Sequence, residues 1–237
     1  MMRVAALLPA YEAAPHLGGV LERLAAVHPR ADTLVVDDGS RDGTGDVARA
    51  AGVEVHTFPE NRGKGHALLA GFRALSGYDA VVTLDADGQH PPESLPAFVR
   101  VAEAGVDLVL GVRARTADMP SHRRFGNAFS SRWATWIAGQ RVADSQCGYR
   151  LYGGPLLRRT PMSPGRYELE TEIVVRAARL GFRLGEVEIP TVYGEEQSQM
   201  STLRDVPRIT GVLLRLTLEW IVPPQSMRSA ARAGALP

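Results

Sequence analysis

Cysteine is nearly absent from this 237-residue chain: Cys147 is the only one. An intramolecular disulfide is therefore impossible and a cysteine-built zinc site is disfavoured, which suits a reducing compartment. Surplus charge is also missing. Lys and Arg number 27 against 26 Asp and Glu, a formal +1, so nothing supports broad electrostatic capture of nucleic acid. No apolar run is long enough to span a bilayer. The most apolar late stretch, Ile209 to Val222, is interrupted by Arg215 and Glu219. Met1-Met2-Arg3 leads at once into a strand-like run, with no secretory pattern. Repeats, long linkers and a G-x-x-x-x-G-K-[ST] phosphate loop are not found. The expectation is a cytoplasmic protein, with a single domain over residues 1–225 and a small, basic, flexible tail over 226–237.

What the chain does have is alternation. Apolar runs at Val4 to Leu8, Leu34 to Val36, Val53 to Thr57, Ala80 to Leu84 and Asp107 to Gly111 read as buried strands. Helical patterns fall between them, near Leu17 to Leu24, from about Asp42, at Gly63 to Leu75 and at Glu93 to Ala104. Strands alternating with helices predict an α/β fold, with a mainly parallel central sheet and helices on both faces. Later, Arg123 to Ala138, Glu170 to Leu180 and Leu203 to Val222 read as helices, and Leu184 to Ile189 as a strand. Ser40 or Asp42 is the expected cap of the second helix.

In open parallel sheets, ligands bind beyond the carboxyl ends of the strands. Three polar clusters fall there: Pro9-Ala10-Tyr11-Glu12, Asp37-Asp38-Gly39-Ser40 and Asp85-Ala86-Asp87-Gly88-Gln89-His90. Two aspartates one residue apart can both reach a hard cation such as Mg²⁺ or Mn²⁺, which commonly bridges to substrate phosphates. The bland reading is a strand-end turn with solvated aspartates, and for an isolated D-x-D it would prevail. Tyr11 could stack on a base, although alone it reads better as a surface tyrosine. Glu12 and one of Asp37 and Asp38 can accept hydrogen bonds from a base or a sugar. Asn61-Arg62-Gly63-Lys64-Gly65 precedes a helix and suits a phosphate, or is merely a helix-start loop. His90 and Cys147 carry no decisive signal.

These elements resemble glycosyltransferase family 2. The carriers are Pro-Ala-Tyr-Glu at 9–12, Val-Val-Asp-Asp-Gly-Ser at 35–40, Asn-Arg-Gly-Lys-Gly at 61–65 and Asp-Ala-Asp-Gly-Gln-His-Pro-Pro-Glu at 85–93. Asp144 to Arg150 and Glu170 to Ile189 are similar to the dolichyl- or polyprenyl-phosphate mannosyltransferase branch. The resemblance covers about residues 4 to 210 and implies the GT-A nucleotide-diphospho-sugar transferase fold. It implies donor contacts from Pro9, Tyr11, Glu12, Val36, Asp38, Lys64, Asp85 and Ala86. Asp85, Asp87 and Gln89 would hold the metal. Arg113, with Arg123 or Arg124, would meet an acceptor phosphate. The implied reaction is inverting, with GDP-mannose or UDP-glucose as donor and polyprenyl phosphate as acceptor. One departure is the loop 192–199, which lacks the arginine and serine-lysine pair of that branch.

Rival readings are a transferase with a soluble acceptor, a sugar nucleotidyltransferase and a non-catalytic sugar-nucleotide-binding module. The nucleotidyltransferase would need a glycine-rich basic loop after the first strand, where this chain has Pro-Ala-Tyr-Glu. An alcohol acceptor would need a base, for which Asp144 and Glu172 are candidates. In the last helix, Val212, Leu213, Leu216 and Trp220 share one face, flanked by Arg208 and Arg215. That face either lies in a bilayer interface or packs on the core or a second subunit.

Overall fold

The computed structural model describes residues 2–113, 121–163, 168–190 and 202–222, with the backbone alone for 121–128 and 202–209. Arg115, the loop 192–199 and the tail 226–237 lie outside the described residues, as do the side chains of Arg123, Arg124, Arg204 and Arg208.

Seven strands form one sheet. They are β1 (Val4–Ala10), β2 (Thr33–Asp37), β3 (Glu54–Thr57), β4 (Ala80–Thr83), β5 (Leu108–Arg113), β6 (Arg150–Gly153) and β7 (Leu184–Ile189). Their order is β3-β2-β1-β4-β6-β5-β7. All pairings are parallel except those of β6, which runs antiparallel to both β4 and β5. Every residue of β1 is buried, as a central parallel strand covered on both faces requires. Its side chains alternate between two cores. Ala5 and Leu7 face one, and Val4, Ala6, Leu8 and Ala10 the other.

Helices cover both faces. On the side of Leu8 lie α1 (Ala14–Ala25), α2 (Thr44–Ala50) and α4 (Leu95–Glu103). On the side of Leu7 lie α3 (Lys64–Ala74), α5 (Ser121–Ala138), α6 (Gly154–Arg159), α7 (Glu168–Arg179) and α8 (Thr202–Ile221). Two elements depart from the sequence reading, β6 and α6, neither of which was expected. The helix expected from Glu93 is a short 3₁₀ turn, Pro92–Ser94, followed by α4.

The capping expectation is corrected. α2 starts at Thr44 behind Gly43, whose φ of 90° needs glycine, and no side chain caps it. Asp42 instead ties two helix starts together. One carboxylate oxygen accepts the Thr44 N–H at 3.0 Å and the other the Ala14 N–H at 2.9 Å. Ser40 Oγ accepts the Glu12 N–H at 3.0 Å.

The last helix is settled by packing. Val212, Leu213 and Leu216 are buried in the core beside α5 and α7. Each such side chain contributes about 1.5–3 kcal/mol by leaving water. Trp133 Nε1 donates to Thr217 Oγ1 at 3.1 Å, and Arg176 clamps Glu219 at 2.8 Å. Those three side chains are therefore covered by the protein itself, while Trp220, expected on the same face, is exposed.

Candidate active site

The strand order changes direction between β1 and β4: β2 and β3 extend to one side of β1, and β4 to the other. Ligand crevices form at such switch points. The parallel register of β1 with β4 ends at Leu7 and Thr83, while β1 and β2 stay paired through Pro9 with Val36 and Ala10 with Asp37. The three acidic clusters therefore leave one end of the sheet around this opening.

On the β1–β2 side the backbone is tightly braced. Glu12 holds a φ of 50°, which costs a non-glycine residue on the order of 1 kcal/mol. It is fixed there because its N–H donates to Ser40 and its Oε1 accepts the Arg41 N–H at 2.9 Å. Tyr11, beside it, is partly exposed. Asp38 is buried, and its carboxylate accepts two backbone N–H groups, from Arg62 at 2.8 Å and Gly63 at 2.7 Å. Gly39 makes this approach possible. With a φ of 76°, a Cβ there would stand 2.5 Å from the Glu60 carbonyl carbon. Asp38 thus pins the 61–63 turn that delivers Lys64 at the start of α3.

Lys64 reaches across the crevice. Its ammonium lies 2.6 Å from Asp85 Oδ1 and 3.0 Å from Glu170 Oε2. Burial alone would lower its pKa, but the charges of Asp85 and Glu170 override that and raise it. Burial likewise pushes Asp85 up, yet Lys64 outweighs it and holds the carboxyl down at about 2. Asp87 moves the other way. Burial, then the charge of Asp85, pushes its carboxyl up, with the Gln89 N–H at 3.0 Å as its direct donor among the described residues. The pair therefore carries one neutralised and one poorly compensated carboxylate. Together with the Gln89 amide, these oxygens fit a hard divalent cation, which typically takes one or two carboxylates and completes its shell with water and phosphate oxygens. Among the described residues, no three His, Cys, Asp or Glu side chains form a metal cage.

The other wall comes from the segment before β6. Arg113, at the end of β5, grips Asp144 with two bonds, Nε to Oδ2 at 2.8 Å and Nη2 to Oδ1 at 3.1 Å. Burial raises the Asp144 carboxyl, but Arg113 and the Gln146 N–H bring it below its ordinary value. Glu172 sits in an ion network with Arg176 and with Arg215 at 2.7 Å, binding α7 to α8. Both candidate bases are thus committed to arginines.

Sequence reading missed three contributors. Glu170 completes the Lys64 bridge from α7 and keeps a buried Oε1 without a partner among the described residues. Gly148 packs so closely that an added Cβ would lie 2.6 Å from Asp85 Oδ2. Arg150 is fully buried and donates to the carbonyls of Ser145, Cys147 and Glu170 at 2.6–2.7 Å. His90 and Cys147 do meet, at 3.7 Å. Burial pushes the thiol up to about 12 and lowers the His90 pKa, so neither is poised as a nucleophile and its base.

A seven-stranded mixed sheet with an aspartate pair, a lysine and an arginine around its switch point defines a GT-A glycosyltransferase. Residues 6–163 match Glycosyl transferase family 2, and the chain belongs to that family. It is 37% identical over 211 residues to an undecaprenyl-phosphate mannosyltransferase of Micrococcus luteus, covering 83% of this chain and 85% of that one. It is 32% identical over 189 residues to a dolichyl-phosphate hexose transferase of Haloferax volcanii, covering 79% and 82%. Among solved structures, glucosyl-3-phosphoglycerate synthase from Mycobacterium tuberculosis, in complex with Mn²⁺, UDP and phosphoglyceric acid, superposes with a TM-score of 0.73. Its identity is 20%, over 95% of this chain and 80% of that one, a likeness of fold.

Proposed function

We propose that this protein transfers a hexose, with inversion, from a nucleoside-diphosphate sugar to polyprenyl phosphate, within a single domain. One observation carries the reading. Two cations, Lys64 and Arg113, flank one half-buried carboxylate pair at the switch point, so the crevice can hold two phosphate-bearing substrates on either side of Asp85. Pro9, Tyr11, Glu12, Val36 and Asp38 line the nucleotide side, with Asp38 also acting through the 61–63 turn it clamps. Lys64, Asp85 and Ala86 meet the diphosphate. Asp85, Asp87 and Gln89 would hold Mg²⁺ or Mn²⁺. When bound, such an ion offsets charge on the leaving diphosphate.

Arg113, with Arg123 and Arg124 on α5, takes the acceptor phosphate. Nε and Nη2 of Arg113 already hold Asp144, so Arg113 meets the phosphate with its remaining N–H groups and its positive charge. A phosphate monoester is already an anion and needs no general base. That agrees with a site whose two candidate bases, Asp144 and Glu172, are both tied up by arginines. The named relatives, acting on undecaprenyl and dolichyl phosphates, support this acceptor class and favour a mannosyl or related hexosyl donor. GDP-mannose is the first choice and UDP-glucose the second. The acceptor places the enzyme at the inner surface of a membrane. Among the described residues no helix is long and apolar enough to cross one.

The test supplies radiolabelled GDP-mannose or UDP-glucose with polyprenyl phosphate and Mg²⁺ or Mn²⁺, and follows label into the organic phase. Organic-phase label that vanishes with a chelator is the expected result. Label passing only to a water-soluble acceptor would overturn the lipid assignment.

A further inference from the structure

The sheet has a second hollow at its other end. The crevice opens where β4 leaves the sheet after Thr83. This cleft lies where β4 enters it, at Ala80, which pairs with Gly153 at the end of β6. Its volume is about 290 Å³, close to the roughly 300 Å³ at which small-molecule sites begin. The C-terminal half of α3 forms one wall, through Leu69, Phe72 and Arg73. The other wall is α6 and the residues after it, through Leu157, Arg158 and Met162. Small residues keep the space open. Ser76 lines it from the end of α3, and Gly154 has no room for a side chain. A Cβ at Gly154 would stand 2.9 Å from Arg158 Nη1 and 3.0 Å from the Tyr78 carbonyl oxygen. The cleft is distinct from the crevice. At about 1.5 Å per residue, Arg73 lies about 13 Å along α3 from Lys64.

The lining has two characters. Leu69, Leu157 and Met162 pack on the core from one side and stay partly exposed on the other, and with Phe72 they give the cleft an apolar floor. Arg73 and Arg158 come from opposite walls and are exposed. Neither makes an ion pair among the described residues, and no Asp or Glu lines the cleft. Thr160, on the same lining, keeps a buried hydroxyl without a partner among the described residues. A neutral apolar guest would leave both guanidiniums unanswered. A bare inorganic anion would leave the floor in water. A molecule with an apolar body and an oxyanion head answers both. Its body removes apolar surface from water, and its head receives charge-assisted hydrogen bonds from the guanidinium groups. We propose that this cleft is a second ligand site, for a small amphipathic anion with a carboxylate or phosphate head. It stands independently of the acceptor that the crevice takes.

Calorimetry on the full chain tests it, with octanoate and octyl phosphate as probes, both below their micellar concentrations. Octanoate should bind once per chain. Binding of both probes, or of either one, supports the site and names the head group it accepts. Acetate, inorganic phosphate and octanol each lack one half of the ligand and should bind at least ~10-fold more weakly. The double variant Arg73→Gln/Arg158→Gln should lose about 10-fold in affinity with an unchanged melting profile, because both side chains are exposed and unpaired. Ser76→Phe keeps every charge and narrows the cleft, so it too should lose the probe. Arg113→Lys should leave octanoate binding as it is. Binding of neither probe overturns the proposal. So does octanol binding as tightly as octanoate, or binding that survives both cleft variants. Octanoate binding lost in Arg113→Lys and kept in the cleft variants would assign the probe to the crevice, which overturns the second site and leaves the transfer reading untouched.

Discussion

Arg113 and Asp144 form a largely buried pair in which each is the other's main partner. Removing one charge strands the other. Asp144→Asn should cost roughly 3 kcal/mol near neutral pH, at the low end for a pair that keeps some contact with water. The pH dependence has a definite sign. The folded carboxyl lies below its ordinary value, so its contribution is complete above the unfolded pKa of about 3.9 and is lost as pH falls through the folded value. The gap in melting temperature between wild type and variant should close in acid. A gap that ignores pH would show that the pair adds nothing through its charge. Arg113→Lys keeps the charge but loses the fork, so it should raise the apparent KM for lipid phosphate and leave nucleotide affinity, measured by calorimetry, nearly unchanged. Gly148→Ala tests position rather than charge. Its Cβ would meet both Asp85 carboxylate oxygens at 2.6 and 2.8 Å, so the carboxylate must move. Turnover should fall on the order of a hundred-fold, with little change in melting temperature. Normal turnover would mean that Asp85 does not need its observed place. The aspartates themselves were legible because a D-x-D after an apolar strand is a local pattern. Glu170 and Gly148 were not, since they reach Lys64 and Asp85 only through the fold.

Among elements, β6 is where local reading failed. Arg-Leu-Tyr-Gly is four residues long, opens on a charge, and sits between two parallel strands where periodicity predicts no reversal. Its antiparallel course has a mechanistic effect. The chain enters β6 at the end of the sheet where β4 and β5 leave, so residues 144–149 join the crevice from before a strand rather than after one. Arg150 holds them there through three carbonyls. An ammonium cannot reach all three with one planar group. Arg150→Lys should therefore destabilise the fold by ~3 kcal/mol or more, read as a lower urea midpoint. A variant as stable as wild type would remove Arg150 as the organiser of this segment. α8 shows the other limit of periodicity. The sequence places Val212, Leu213 and Leu216 on one face, but it cannot say which of two apolar faces meets the core.

For the whole molecule, the parallel half was readable because each strand and helix there follows from local composition, and because parallel sheets put their ligands at one predictable edge. Strands β1 to β5 and β7 all fall within a residue or two of where the apolar runs place them. What could not be read was convergence. The distance between Lys64 and Glu170 depends on the packing of α3 against α7.

That convergence gives the crevice a resident counter-ion. A divalent ion approaching Asp85 competes with the Lys64 ammonium, which would be left with Glu170 alone until a diphosphate arrives. Metal and nucleotide should therefore be mutually dependent tenants, each raising the affinity of the other by the same factor. In calorimetry, Mn²⁺ should bind weakly alone and more tightly with GDP or UDP present, and the nucleotide should show the matching gain. Lys64→Gln should tighten Mn²⁺ in the absence of nucleotide and flatten the coupling. Equal Mn²⁺ affinities with and without nucleotide in the wild type would mean that the ammonium and the metal never contend for the same oxygen.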